Sequence, residues 1–420
     1  MKNALYISLL SILLFACESP QRATSTNQAF LYNKNIGRLH PKFNIYHRSE
    51  TESQLDFLLD ASELQYMRRG ADSVLRSSVN VSIILRSSLD DKAILDSAST
   101  RISDVSEGNN DKFIHGEIKF KASYPNAYYL EVNVGDLNRK SNYRSYQYVD
   151  KRNHYNKQNF LLLSEEGREY FGTDIASADR IQILCNNDKL TRYTVKYFKG
   201  KVHLSGPPFS LKYIPPVFNP HPDSVYSIPV PGGTGITFPK RGMYLIQSDS
   251  SKSEGITLLR FYDGFPDVTT PDLLVNALRY ITNKDEFEKL HASKDKKAAV
   301  DKYWLDLAGN EDRARELISK YYNRVQDANR YFTSYTEGWR TDRGMVFLVF
   351  GPPDAVFKNG TSETWEYGMK HNATPLTFIF VHQNNLLTEN DYQLRREAQF
   401  KGPWYKAVES WRQGKVYSEE

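Results

Sequence analysis

A chain of 420 residues is too long for one hydrophobic core, and 40% hydrophobic with 25% charged residues is a globular composition that excludes a disordered or integral membrane chain. The formal charge of +5 is small for this length and the basic residues are scattered among acids, so nucleic acid is not an expected partner. Only two cysteines, Cys17 and Cys185, are present, which excludes a disulfide framework and a cysteine-built metal site.

The chain begins with Lys2 and a nearly unbroken apolar run from Ala4 to Ala16. That run is too short to cross a bilayer core of about 30 Å, which takes roughly 20 helical residues, and reads as a targeting segment. It ends Leu14-Phe15-Ala16-Cys17, an arrangement that resembles the bacterial lipobox, with Phe15 bulkier than usual before the small residue. The resemblance implies cleavage of residues 1–16 as a lipoprotein signal peptide, palmitate-type acylation of Cys17, and outer-membrane lipid as the first partner. Glu18 in place of Asp argues against inner-membrane retention. The stretch after Cys17 lacks a strongly acidic run, which favours the periplasmic face over the cell surface. Residues 17–37 are polar and read as a tether.

Residues 38–152 show alternation at period two: Leu55, Phe57 and Leu59, then Val79, Val81, Ile83 and Leu85, then Phe113 to Phe120 and Tyr128 to Val134. Short alternating strands at this spacing predict an antiparallel, Ig-like β-sandwich. Residues 153–265 repeat the pattern, with strands expected at 181–184, 192–198, 202–204, 236–238, 243–247 and 256–262, and predict a second sandwich. The proline-rich passage from Pro207 to Pro231 is a connection or an edge, because proline cannot donate to a central ladder. Cys185 follows an apolar run with no cation cluster beside it and reads as a small buried hydrophobe, not a nucleophile.

At Thr270-Pro271-Asp272 the period changes to near 3.6, with Pro271 suited to a first helical turn. A further helix stops at Gly309. Asn310 caps a long helix whose stripe runs from Ala314 through Phe332 to Tyr335, with Gly338 as its stop. Strands are expected at Met345–Phe350, Ala355–Phe357, Glu363–Tyr367 and Leu376–His382, forming a meander on the helices across 266–400. Residues 401–420 form a C-terminal tail with Trp404 and Trp411, as a helix or a docking strip.

Chemistry is sparse. Gly232-Gly233-Thr234-Gly235 lacks the following lysine of a phosphate loop, and the nine dispersed histidines, His371 and His382 among them, form no metal pattern. No metal or cofactor is expected. Asp342, Asp354, Glu363 and Glu366 could supply a paired-carboxylate hydrolase site, but Asp342 and Asp354 sit where turns use aspartate. The abundant tyrosine and tryptophan could bind glycans, yet core packing in sandwiches accounts for most of them.

Gly338-Trp339-Arg340-Thr341-Asp342 carries the signature for which the GWxTD-domain family is named, and Gly344, Gly351-Pro352-Pro353-Asp354 and Trp365-Glu366-Tyr367 extend the resemblance over residues 270–400. The family, found in Bacteroidota and some other bacteria, implies an envelope protein without an assigned reaction. The expected fold is therefore two β-sandwich modules followed by helices and a helix-on-antiparallel-sheet GWxTD module. Trp339 is expected to anchor the long helix on the sheet. Gly344-Met345, Gly351-Pro352-Pro353 and Trp365-Glu366-Tyr367 also resemble the small SmpA/OmlA-type lipoprotein of the β-barrel assembly machinery. The reading that unites these features is a non-enzymatic outer-membrane lipoprotein acting as a subunit of an envelope complex, in outer-membrane protein assembly, with other envelope proteins and β-barrel assembly components as partners. The alternatives are a surface glycan-binding lipoprotein and a hydrolase using Asp342 or Glu363.

Overall fold

A computed structural model describes residues 27–33, 39–68, 74–89, 91–106, 112–187, 189–200, 203–230, 235–369 and 375–417. Cys17, the segment before it, Gly232 to Thr234 and His371 lie outside the described residues.

The first module contains β1 (Lys42–His47), β2 (Glu52–Asp60), β3 (Arg76–Arg86), β4 (Asp96–Val105), β5 (Phe113–Lys121), β6 (Asn126–Asp136) and β7 (Ser141–Lys151). They form two antiparallel sheets, ordered β1-β2-β5 and β4-β3-β6-β7. Because side chains alternate, the pairings Leu55↔Ile118 and Val81↔Val134 fix which residues face inward. Leu55, Phe57 and Leu59 thereby meet Val79, Val81 and Ile83 in one shared core. After β2 the chain makes a 3-10 turn at Ala61–Glu63 and a single bridge from Met67 to Arg76.

The second block contains the pair β8 (Phe160–Leu163) and β9 (Gln182–Cys185), with a sheet of β10 (Arg192–Phe198), β11 (Ser224–Pro229), β12 (Gly242–Gln247) and β13 (Ile256–Arg260) in the order β11-β10-β12-β13. Ile183, Val195, Ile246 and Leu258 share its core. Residues 203 and 204 are not in a strand, and Ile236 contributes one bridge, to Ile181. Phe198, Met243, Leu245 and Leu259 pack with Leu387, which comes from the C-terminal part of the chain.

The last module holds α1 (Pro271–Ala277), α2 (Lys284–Ala292), α3 (Lys296–Ala308), α4 (Glu311–Phe332), α5 (Asp342–Phe350), β14 (Ala355–Lys358), β15 (Ser362–Tyr367), β16 (Leu376–His382), β17 (Tyr392–Leu394) and α6 (Lys401–Arg412). Thr270 caps α1 with Pro271 in its first turn, and Asn310 caps α4 by accepting from the Arg313 amide. The meander is ordered β14-β15-β16-β17, antiparallel throughout. One aromatic core joins helices and sheet, with Trp304, Trp365 and Trp411 fully buried.

Three expectations change here, and one is narrowed. Residues 345–350 are not a strand but most of α5, capped by Thr341, whose side chain accepts from the Gly344 amide. Every residue of α5 is buried, so the apolar run carries no period that separates helix from strand. The long helix ends at Phe332 with Thr333 as its cap, and Gly338 opens a separate 3-10 turn, Gly338–Arg340. The C-terminal tail, expected as a helix or a docking strip, is helix α6, which buries Trp404, Ala407 and Trp411 in the common core. Finally, residues 27–33 of the supposed tether are docked. Gln28 N–H donates to the Val356 carbonyl at 2.8 Å, Val356 N–H donates to Asn27 Oδ1 at 3.0 Å, and Ala29 and Tyr32 enter the core.

Candidate functional site

The motif lies where α4, α5 and β17 converge. Gly338 is required by close approach: a Cβ there would fall 1.9 Å from the Ala328 carbonyl oxygen on α4. Gly344 is required in the same way, since its Cβ would fall 1.9 Å from the Gly338 carbonyl oxygen. The two glycines let a helix, a 3-10 turn and the next helix stack backbone on backbone. Trp339 is 2% exposed. Its backbone N–H donates to Asn329 Oδ1, its ring meets Tyr280 edge-on, and the Arg340 guanidinium covers it at 4.2 Å. Trp339 thus anchors α4 within the helical layer and not onto the sheet. Asn329 also donates to the Pro266 carbonyl, which ties the end of the second block to the same point.

Thr341 serves the cap of α5 and donates its hydroxyl to the Gly338 carbonyl at 2.7 Å. Asp342, in the first turn where the helix dipole favours an anion, accepts from the Leu394 amide at 2.8 Å and forms a two-toothed ion pair with Arg396. Both side chains of that pair are more than nine-tenths buried. Arg396 in turn lies over the Tyr213 ring at 4.1 Å and donates to the Gly206 carbonyl.

Next to this pair sits a second ionic cluster. Arg343 Nη1 reaches Glu363 Oε2 at 3.1 Å, Lys358 Nζ lies 3.5 Å from the same oxygen, and Trp365 Nε1 donates to Glu363 Oε1 at 2.6 Å. Tyr32, from the docked N-terminal strap, adds its hydroxyl to the carboxylate and receives a bond from Lys358. Burial pushes the Glu363 carboxyl up, but Lys358, Arg343 and the Trp365 and Tyr32 hydrogen bonds outweigh it and hold the group below the usual glutamate value. Burial drives the Tyr32 hydroxyl well above the ordinary tyrosine range. The rest of the Arg343 guanidinium is taken by Asn390, whose own amide donates to the Tyr331 and Thr333 carbonyls at the end of α4.

At the far end of α5, Gly351 adopts a φ of +90°, where a side chain is disfavoured, and Arg324 from α4 donates to the Leu348 and Val349 carbonyls. Burial lowers the Arg324 guanidinium to about 10. Pro352 and Pro353 carry the chain into β14, and Asp354 accepts from the Gly368 amide at 2.8 Å across the turn. Trp365 is fully buried against Tyr32, Phe332 and Phe380.

Gly338, Trp339, Thr341, Asp342, Gly344, Gly351 and Trp365 therefore form one connected unit, and Asp342 and Glu363 belong to separate ion pairs within it. Arg324, Asn329, Asn390, Arg396 and Tyr32 complete it. Asn390 and Arg396 are isolated polar residues in loops and carry no periodic signal, Arg324 and Asn329 are polar residues of α4 outside its apolar pattern, and Tyr32 lies in a stretch whose composition reads as tether. A small opening of about 30 Å³ touches the motif, lined by His203, Tyr213, Tyr335, Arg340, Asp342 and Asp391. His203 Nε2 and the Tyr213 hydroxyl are hydrogen-bonded there, burial lowers the imidazole, and burial raises Asp391. Such a space holds waters; organic ligands take about 300 Å³ or more.

Elsewhere, Cys185 is a free, half-buried thiol pushed up to about 11 by burial, unsuited to nucleophilic attack. Tyr129 and Tyr148 on the first module meet at 61° and do not make a flat stacking platform. Among the described residues, no helix is long and apolar enough to cross a membrane, and no group of three His, Cys, Asp or Glu could hold a metal ion.

The fold and motif define a β-rich chain closed by an α+β module built on a buried ionic junction. Residues 242–413 match the family model of the GWxTD domain. The match runs from β12 to the end of α6, so it takes in two strands of the second block as well as the helices and the meander. No curated protein matches the chain. The resemblance to the SmpA/OmlA-type lipoprotein finds no support in these matches.

Proposed function

We propose that the chain is a lipid-anchored envelope protein without catalytic activity of its own, working as a structural subunit of an outer-membrane assembly, with outer-membrane protein biogenesis as its setting. The observation that carries this reading is the saturation of the motif. Asp342 is consumed by Arg396 and the Leu394 amide, Glu363 by Arg343, Lys358, Trp365 and Tyr32, and the opening beside them has room only for waters. Groups spent on each other in this way stabilise a junction and leave no acid or base free to meet a substrate.

The docked strap supports the anchoring half of the reading. From Cys17 to Asn27 is 27 − 17 = 10 residues. Ten extended residues span at most about 35 Å, so acylation at Cys17 would hold the GWxTD module within that distance of the bilayer. A module tied this closely to a membrane suits a scaffold that works beside it, on the periplasmic face. Purification of the tagged full chain from membranes in mild detergent tests the proposal. A stoichiometric envelope partner is expected, and recovery as a free monomer under all mild conditions would contradict it.

A further inference from the structure

The two β-rich parts of the chain meet at a cleft of about 310 Å³ that the motif does not use. Asp56 on β2 and Glu117 on β5 are register partners, with Asn44 of β1 opposite Asp56 on the other side. Across from them, the loop after β8 brings Arg168, Glu169 and Phe171. Asn44 Nδ2 donates to Glu169 Oε1 at 2.8 Å, which holds that loop on the sheet, and the His115 ring lies 5.9 Å from Phe171.

Asp56 is only 4% exposed. One of its oxygens accepts from Gln54, while Oδ2 is buried with no hydrogen-bond partner among the described residues. An unpaired buried carboxylate oxygen is costly, and because Asp56 lines the cleft, a donor brought in there would relieve that cost. The neighbouring cations do not fill it. Arg168 is exposed and lies 3.7 Å from Glu166, Lys119 lies 3.8 Å from Glu117, and Arg48 is bonded to Gln54. The acids and His115 do not converge closely enough to hold a single metal ion. Spread carboxylates beside an aromatic ring suit a cation with several donors and a flat or apolar face.

We propose that this cleft binds an organic cation carrying a guanidinium or primary ammonium group, held by Asp56 and Glu169 with Phe171 as its apolar wall. The volume fits a small amine or one basic side chain of a partner protein. Burial, reinforced by Glu117, raises Asp56 to about 6, and burial, reinforced by Asp56 and Glu117, raises Glu169 to about 7. Burial and Arg168 lower His115 below the usual imidazole value, which favours its neutral form. The site therefore charges up through the neutral range, and binding releases protons.

Calorimetry on the detergent-solubilised full chain tests this with two probes, agmatine and the blocked tripeptide acetyl-Gly-Arg-Gly-amide. Saturable binding is expected at about pH 8, weakening at least about tenfold by about pH 5.5, where the acids are protonated and the guanidinium is unchanged. The Asp56→Asn/Glu169→Gln double variant should lose about tenfold or more in affinity. Arg168→Gln removes an exposed competing cation, leaves the fold intact and should tighten binding. Agmatine binding alone would assign the site to free amines, and binding of both probes would admit a partner's basic side chain. Absence of saturable binding by either probe, or an affinity indifferent to pH and to all three substitutions, would overturn the proposal.

Discussion

Gly344→Ala is the sharpest perturbation of the junction. The added Cβ would lie 1.9 Å from the Gly338 carbonyl oxygen and 2.8 Å from the Trp339 Cα, both backbone atoms that cannot swing aside. Helix α5 and the 3-10 turn must then separate by more than an ångström. Overpacking of this kind costs roughly 1–3 kcal/mol. The separation also strains the 3.1 Å bond from the Gly344 amide to Thr341 Oγ1. A lost cap of this type costs about 1 kcal/mol, so the expected total is about 3 kcal/mol. At about 2–4 °C per kcal/mol for a unit of this size, Tm should fall by roughly 6–12 °C. The assay is direct, because all five tryptophans (304, 339, 365, 404 and 411) lie in the GWxTD module and their fluorescence reports on it alone. Gly402→Ala is the control: apart from its chain neighbours a Cβ on Gly402 meets nothing within 4 Å, and the helix preference of alanine opposes the crowding by Pro403, so the change should stay within about 1 kcal/mol. A Gly344→Ala protein that melts like wild type would refute the close-packing argument.

Other expectations concern the ion pairs, the strap and the anchor. Glu363→Gln leaves Arg343 buried without its anion and should cost about 3–5 kcal/mol by urea titration of tryptophan fluorescence. Because the folded Glu363 carboxyl is held below its usual value, its contribution is present above the ordinary glutamate range and lost as pH falls through the depressed value; acid unfolding of the wild type should show this dependence and the Gln variant should lose it. Tyr32→Ala removes a buried ring 5.4 Å from Trp365 and should destabilise the module by about 3–5 kcal/mol; no change in its melting would show the strap to be incidental. Cys17→Ala should abolish palmitate labelling and move the protein from the membrane to the soluble fraction, and retention in the membrane without label would remove the lipid anchor from the account.

The strands of the first module were legible because one buried face imposes alternation, as at Leu55, Phe57 and Leu59. Helix α4 was legible for the matching reason, with Leu317, Tyr321, Val325 and Phe332 on one buried face. Helix α5 was hidden because burial on every side erases the period, while the β-branched and aromatic residues in Met345–Phe350 suit a strand. Thr341-Asp342 was the available signal, an N-cap followed by an acid in the first turn. The motif residues were legible as a unit, but their partners were not. Arg396 and Asn390 reach Asp342 and Arg343 across about 50 residues of chain, and single polar residues in loops announce no such contact.

The central claim is that the motif maintains architecture and, through it, an envelope assembly. Asp342→Asn tests both halves, because it leaves Arg396 buried without its carboxylate and should cost about 3–5 kcal/mol. The decisive measurement is the yield of co-purified partner from membranes set against the folded fraction of the same variant, read by tryptophan fluorescence at several temperatures. The account predicts that partner yield follows folded fraction on one curve shared with wild type. A variant as folded as wild type that has lost its partner or an activity would contradict it, and would make Asp342 a working group.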